Sequence, residues 1–250
     1  MNLTTLRYGV ESGVATLTLD RPQSRNAVNR AMCDDIVAAI GAARADTEVK
    51  LVLVRATGPV FCAGADLKER KGMSADEIRA RRLAAFAAYG AIESLPMPAV
   101  AVVHGPAVGS GCEIAACCDF VVATPNATFA TPEALWGTVG ATQRLPRILG
   151  KRLAKDMMFT GRKLTAEEAR AAGLVTRIVA AGDVDQVVAD IAKIVVAAPP
   201  AAMRQAKSCI DQSVELDPRG ALALEIAAME ENIARDTWRA GMSEFGKEKP

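Results

Sequence analysis

The sequence predicts an α/β fold, and three observations carry that expectation. Short apolar runs of strand character alternate along the chain with longer segments of helical periodicity. Several of those runs are apolar without alternation, which suits strands covered on both faces. Only the C-terminal part turns wholly helical. Taken in order, VATLTLDRP (residues 14–22) alternates apolar and polar side chains and reads as a half-buried strand ended by Pro22. AVNRAMCDDIVAAIGAA then repeats its apolar residues at helical spacing. VKLVLVRATG is a buried strand stopped by Gly58 and Pro59. A helix over ADEIRARRLAAFAAYGAIESL closes at Pro96 and Pro98, and AVAVVHG is the next buried strand. A glycine-rich turn from Gly105 to Gly111 leads into a short helix through about Cys117, followed by the strand DFVVAT. LTAEEARAAGLVTRIV opens on a capping box (Thr165, Glu168) and passes Gly173 into a short strand. From Val184 the pattern is helical, broken at Pro199-Pro200 and Pro218. The expected division is an α/β core over residues 1–195 and a helical region over residues 196–250.

Bulk properties exclude several functions. A chain of 250 residues with 50% hydrophobic and 24% charged residues has the composition of a soluble globular protein. A net charge of +1 gives no field to attract a polyanion, and 4% aromatic residues offer few platforms for stacked bases, so no nucleic-acid partner is expected. None of the six cysteines (33, 62, 112, 117, 118, 209) forms C-x-x-C, and His104 stands alone in an apolar run, so no metal site is expected. The cysteines read instead as small buried hydrophobes. MNLTTLRYGV lacks the charged and apolar regions of a signal peptide, and the apolar runs are too interrupted to span a bilayer. A cytoplasmic setting without a membrane partner is the expectation.

Three segments carry candidate chemistry. GPVFCAGADLKER (residues 58–70) turns through small residues before a helix start expected at Asp66 or Leu67, which exposes amides such as that of Ala65 as donors. VHGPAVGSGCEIAACCDF places Glu113 in an apolar stripe with Ala116, Cys117 and Phe120. Ser110 and Glu113 have the spacing of a capping box, while burial on that stripe would raise the carboxyl pKa and suit acid–base work. Both readings stand at this level. ATFATPEALWG sets Glu133 after a short strand, where a first-turn glutamate commonly complements the helix dipole. Neither G-x-G-x-x-G nor G-x-x-x-x-G-K-[ST] occurs, so a nucleotide site has no support.

Together, FCAGADLKER, GPAVGSGCEIAACCDF, ATFATPE and TQRLPRILGKRLAKDMMFTGRKLTAEEARAAGLV resemble the enoyl-CoA hydratase/isomerase (crotonase) superfamily. The resemblance extends to the C-terminal PPAAMRQAKSCI and WRAGMSEF, and FCAGADLKER with AMRQAK is similar to the methylglutaconyl-CoA hydratase branch. It implies a spiral of ββα units with a C-terminal helical region that drives assembly into trimers or hexamers. It implies an acyl-CoA thioester substrate, coenzyme A being part of that substrate and no separate cofactor being required. On the matching positions the amides of Ala65 and Ser110 would hold the thioester oxygen as enolate charge develops. Glu113 would activate water and Glu133 would manage the proton at Cα. Isomerase members commonly keep one of these acids, so the pair favours hydration. The family also leads one to expect contacts to the substrate from Ala63, Ala65, Asp66, Leu67 and Gly109, with Arg25 and Lys68 near the phosphates and Lys247 or Lys249 reaching in from a neighbouring subunit.

Two positions depart from the family pattern. Ser110 replaces the usual glycine, which would be strained if the site demanded a glycine-only conformation. GTVGATQRL is shorter than the P-G-x-G-G-T-Q-R-L loop of the family, and that loop normally seats the water and the second acid. The shortening keeps isomerisation or another enolate reaction as the alternative. A non-catalytic acyl-CoA-binding or RNA-binding relative is disfavoured, because the helix that is lysine-rich in RNA-associating members (residues 29–44) contains no Lys.

Overall fold

The computed structural model describes residues 1–236 together with 238 and 239; Lys247, Lys249 and most of WRAGMSEF lie outside the described residues. Strands β1 (Leu6–Glu11) and β2 (Val14–Leu19) form an antiparallel hairpin. Its two-residue connection, Ser12 and Gly13, has positive φ at both positions, as a type I′ turn requires. Strand β1 escapes a reading based on alternation because it is an edge strand with most of its residues exposed. Helix α1 (Arg30–Ala45) starts at Asn29, whose side chain accepts the Met32 N–H at 3.0 Å. It buries Met32, Cys33, Ile36, Ala39, Ile40 and Ala43 at helical spacing.

Strand β3 (Leu51–Ala56), helix α2 (Ala75–Glu93) and strand β4 (Ala99–Val103) follow. The helix expected from Asp66 or Leu67 does not form there: turns run from Leu67 to Gly72, and α2 begins at Ala75. Asp66 is the reason. Its carboxylate accepts the Lys68 N–H at 3.1 Å, closing a side-chain turn that competes with a helix. Ser74 and Glu77 then form a reciprocal capping box that starts α2 cleanly.

Beyond β4 lie β5 (Pro106–Val108), α3 (Ser110–Ala116), β6 (Phe120–Ala123) and β7 (Thr128–Ala130). They are followed by α4 (Arg144–Leu149), α5 (Lys151–Thr160), β8 (Leu164–Thr165), α6 (Ala166–Ala171) and β9 (Arg177–Ile178). Thr165 and Glu168 form the expected capping box at α6. The main sheet has the order β1-β2-β3-β4-β6-β9 and is parallel from β2 onward, and β5-β7-β8 form a small second sheet. The central strands are covered on both faces, which explains their unbroken apolar sequence. Val52, Val54, Ala101 and Val103 face the larger core with α1 and α2, while Leu51, Leu53, Val100 and Val102 face α7 (Val184–Ala197).

Helix α7 packs on the sheet through Val184, Val188 and Ile191, and the chain then bends by 104° at Pro199-Pro200. Helices α8 (Pro200–Ser213) and α9 (Pro218–Ala234) pack on each other, and Lys207 ties α8 to Asp119 of the core at 2.6 Å. Neither helix contains a buried residue, and Ile210, Val214, Leu222, Ile226, Met229 and Ile233 are exposed. Among the described residues no single helix is long and apolar enough to cross a membrane. Five of the six cysteines are buried and none is in a disulfide. Burial pushes the Cys33 thiol up to about 11 and that of Cys62 to about 12, so neither is a ready nucleophile.

Candidate active site

Two loops meet where the sheets converge. In the first, the Val28 N–H donates to the Gly64 carbonyl at 2.8 Å and the Asp66 N–H donates back to the Val28 carbonyl at 2.8 Å. This bridge brackets Ala65 and leaves its N–H without a backbone acceptor. In the second loop, the Gly109 N–H is held by the Ala130 carbonyl at 2.8 Å, and Gly109 turns the chain at φ +51 into α3. Ser110 is the first residue of α3, so its N–H precedes the intrahelical ladder and is free to donate. The two loops touch: a side chain on Gly109 would lie 3.8 Å from the Gly64 Cα and only 2.6 Å from Glu133 Oε1. The positive φ falls on Gly109, so Ser110 in place of glycine is not strained.

The capping-box reading of Ser110 and Glu113 is corrected here. Gly109 occupies the cap position, and no side chain caps α3. The Ser110 hydroxyl is turned to the buried Tyr89 of α2 instead. The Glu113 side chain points inward and is 5% exposed. Its stripe ends at Cys117, because Phe120 already belongs to β6. Desolvation raises its carboxyl pKa most, and the Glu133 charge adds to that; the Arg144 guanidinium, 3.7 Å away, and the Ala141 amide work against it. Arg144 is held from behind by two hydrogen bonds to Glu93, at 2.6 and 3.0 Å.

Glu133 opens a short 3-10 turn (Glu133–Trp136) and also faces inward. Its pKa is raised by desolvation, opposed by its own backbone amide and by Arg82. Its Oε2 is buried with no hydrogen-bond partner. The shortened loop still reaches both acids. Gly140 lies against the Glu133 side chain, the Thr138 N–H returns to the Glu133 carbonyl at 3.0 Å, and Ala141 (φ +56) turns its amide to Glu113. Arg82 anchors the loop from α2 through the Thr138 hydroxyl and the Val139 carbonyl.

Ala65, Ser110, Glu113 and Glu133 therefore line one cavity of about 200 Å³, together with Ala63, Leu67 and Gly109. Asp66, Lys68 and Arg25 do not line it. Asp66 is a structural bracket, buried beside Arg21 at 3.1 Å. Lys68 is exposed and contributes its N–H to the Asp66 turn. Arg25 is likewise exposed, and its carbonyl holds the Ala63 N–H at 3.0 Å. MSADEIRARRLAAF (residues 73–86) is expected to wall the acyl pocket, and its Arg81 and Arg82 do line the cavity, whereas Arg70 and Tyr89 on the wall and Arg144 beside Glu113 are not singled out by the sequence. Arg144 stands in the conspicuous TQRL stretch, whereas Arg70, in KERK, reads as part of a charged flank.

Comparison with known proteins shows the family and the fold. The family model for enoyl-CoA hydratase/isomerase matches residues 9–250. A probable mitochondrial enoyl-CoA hydratase 2 of Arabidopsis thaliana is 35% identical over 247 residues, covering 97% of this chain and 82% of that protein. The human mitochondrial methylglutaconyl-CoA hydratase is 34% identical over 246 residues, covering 95% of this chain and 73% of that protein. The crystal structure of an enoyl-CoA hydratase from Bacillus anthracis superposes with a TM-score of 0.94 at 29% identity, covering 99% of this chain and 98% of that one.

Proposed function

The chain belongs to the enoyl-CoA hydratase/isomerase family, and on that premise we propose that it is an enoyl-CoA hydratase, adding water reversibly across the 2,3-double bond of an acyl-CoA thioester. One observation carries the proposal: two inward-facing glutamates and two unengaged backbone amides line a single cavity. The amides of Ala65 and Ser110 hold the thioester oxygen. Water adding at Cβ sends charge through Cα to that oxygen, and fixed donors stabilise it more in the transition state than in the ground state. Glu113, ionised, takes a proton from the attacking water. Glu133, kept toward its neutral form by burial, delivers a proton to Cα. Both pKa directions suit the exchange, since acid and base need values near the working pH.

Isomerisation needs one acid that shuttles a single proton, and it remains the alternative because of the loop shortening. The contacts of Gly140 and Ala141 to the two glutamates support hydration instead, as the shortened loop keeps both acids engaged. The exposed apolar faces of α8 and α9 fit assembly into a trimer or hexamer, and unpaired cysteines fit a reducing cytoplasm. The test is consumption of 2-butenoyl-CoA, followed as loss of the conjugated-thioester absorbance. Wild-type protein turns the substrate over, and Glu113→Gln lowers the rate by ~10²–10⁴ while the acyl-CoA still binds. A Glu113→Gln protein as active as wild type refutes the assignment.

A further inference from the structure

Arg144 stands behind Glu113 without closing on it as a simple buried ion pair would. A guanidinium presents its N–H donors in a fixed fork. Glu93, the last residue of α2, takes two edges of that fork: Nε donates to Glu93 Oε1 at 3.0 Å and Nη2 to Oε2 at 2.6 Å. The Tyr89 ring, one turn earlier on α2, lies 5.9 Å from the same group. Nη1 is the nitrogen left to face Glu113, and it stops 3.7 Å from Oε1. That is too long for a hydrogen bond. The charge is still strongly felt, because both side chains are almost wholly shielded from water. Arg144 does not line the cavity that holds the two glutamates. It borders a separate cleft of about 920 Å³ between α2, α4 and α8, which Glu93 also lines. Its influence on the reaction therefore passes through Glu113.

An Arg144 free to cross the remaining gap would bind Glu113 directly and occupy the oxygens that must accept a proton from water. We propose that Glu93 is a positioning residue for the water-activating base: by gripping Arg144 from behind it stops the guanidinium short of Glu113, which feels the cation and keeps its oxygens for water. This rests on the reading of Glu113 as that base. Glu93 and Tyr89 face Glu113 from α2, Arg144 from α4, Glu133 from the 3-10 turn, and Cys112 and Cys117 from α3 itself. Burial holds the tyrosine and both thiols in their neutral forms, so the charges that act are those of Arg144, Glu133 and Glu93. Glu93 acts twice in one direction. Its own charge raises the Glu113 pKa, and its grip limits the opposing pull of Arg144. Across the cleft from Glu93 stand Asp211, Arg204, Lys207 and Arg147, of which Lys207 is paired with Asp119 and Arg147 with Glu215.

Glu93→Gln tests this, since the Glu93 side chain is half-exposed and the variant should fold with a near-wild-type melting temperature. No longer held by charge, Arg144 should close on Glu113. The kcat for 2-butenoyl-CoA should then fall roughly tenfold or more with KM little changed, and the acidic limb of the kcat/KM profile should move down by about one pH unit. Glu93→Asp keeps the charge and should recover part of the rate. Adding Arg144→Met to Glu93→Gln removes the misplaced cation, so the double variant should outpace Glu93→Gln above neutral pH. A readout without turnover is the infrared band of the protonated Glu113 carboxyl, assigned by its loss in Glu113→Gln. Its titration midpoint should fall in Glu93→Gln and rise in Arg144→Met. An unmoved midpoint in Glu93→Gln overturns the proposal. So does a rate loss that is independent of pH and deepened by Arg144→Met, because Glu93 is then only a brace for the fold. A protein that hydrates no enoyl-CoA yet shows the two opposite midpoint shifts loses the hydratase assignment and keeps the positioning of Arg144 by Glu93.

Discussion

Replacing Glu133 by glutamine should move activity and stability in opposite directions. The buried Oε2 has no partner, and glutamine leaves that position equally unpartnered, so what the substitution removes is the desolvation cost of the ionised carboxylate, on the order of 1 kcal/mol or more. Glutamine keeps the shape, removes the ionisable charge and forfeits the attraction of Arg82. The net gain should therefore fall near the low end, about 1 kcal/mol, or a rise of ~2–4 °C in melting temperature for a chain of this size. The pH dependence fixes the sign. Burial raises the folded-state pKa of Glu133 above its ordinary 4.5, so the native protein binds more protons than the unfolded chain between the two values. Wild-type stability falls as pH rises through that window, and the glutamine variant lacks this loss. The melting-temperature gap should be absent below pH 4.5 and should open as pH rises above it. Meanwhile turnover of 2-butenoyl-CoA should drop by ~10²–10⁴ through loss of the proton donor. Calorimetric melts across pH and a spectrophotometric rate assay give both numbers. If Glu133→Gln melts lower than wild type at neutral pH, or retains full activity, the account of Glu133 as a buried, strained acid is wrong.

Two further substitutions probe the same site. Arg144→Met removes the cation that opposes the raised pKa of Glu113; the acidic limb of the kcat/KM profile should move to higher pH, so that the defect shrinks as pH rises, and a pH-independent loss would mean that Arg144 only supports the fold. Gly109→Ala places a methyl 2.6 Å from Glu133 Oε1 at a backbone with φ +51; it should lower stability by about 1–2 kcal/mol and reduce turnover sharply, and a fully active, stable protein would show that this turn does not set the position of Glu133.

How much of this was legible in the sequence depends on whether a feature is local. The elements were largely readable, because apolar strands buried on both faces and helices with one buried face leave periodic marks in the chain. β1 was not, since an exposed edge strand has no such mark. The two glutamates and the two small-residue loops were also readable, as each is a short segment with unusual composition. The structural role of Asp66 was hidden for the opposite reason. An acid beside a functional loop looks like a ligand contact, and only the distant Arg21 reveals it as a bracket.

The free Ala65 amide shows most clearly why the rest required the fold. Nothing in CAGADL says which N–H will lack an acceptor. That is decided by Val28, a residue far earlier in the chain, whose N–H and carbonyl engage Gly64 and Asp66 on either side of Ala65. The arginine wall follows the same logic. RARR does not say which of its arginines faces inward; the end of α2 that it occupies covers a cavity floored by α3 and closed by the loop after Glu133. Arg81 becomes 3% exposed through contacts with Val28 and Glu69, not through any property of its own segment. The candidate acids and loops are thus written locally, whereas the charge balance of the cavity wall is set by distant residues such as Val28 and Glu69. Val28 brackets the Ala65 amide and accepts the Arg81 guanidinium, so a single buried position shapes both the free amide and the placement of charge beside it.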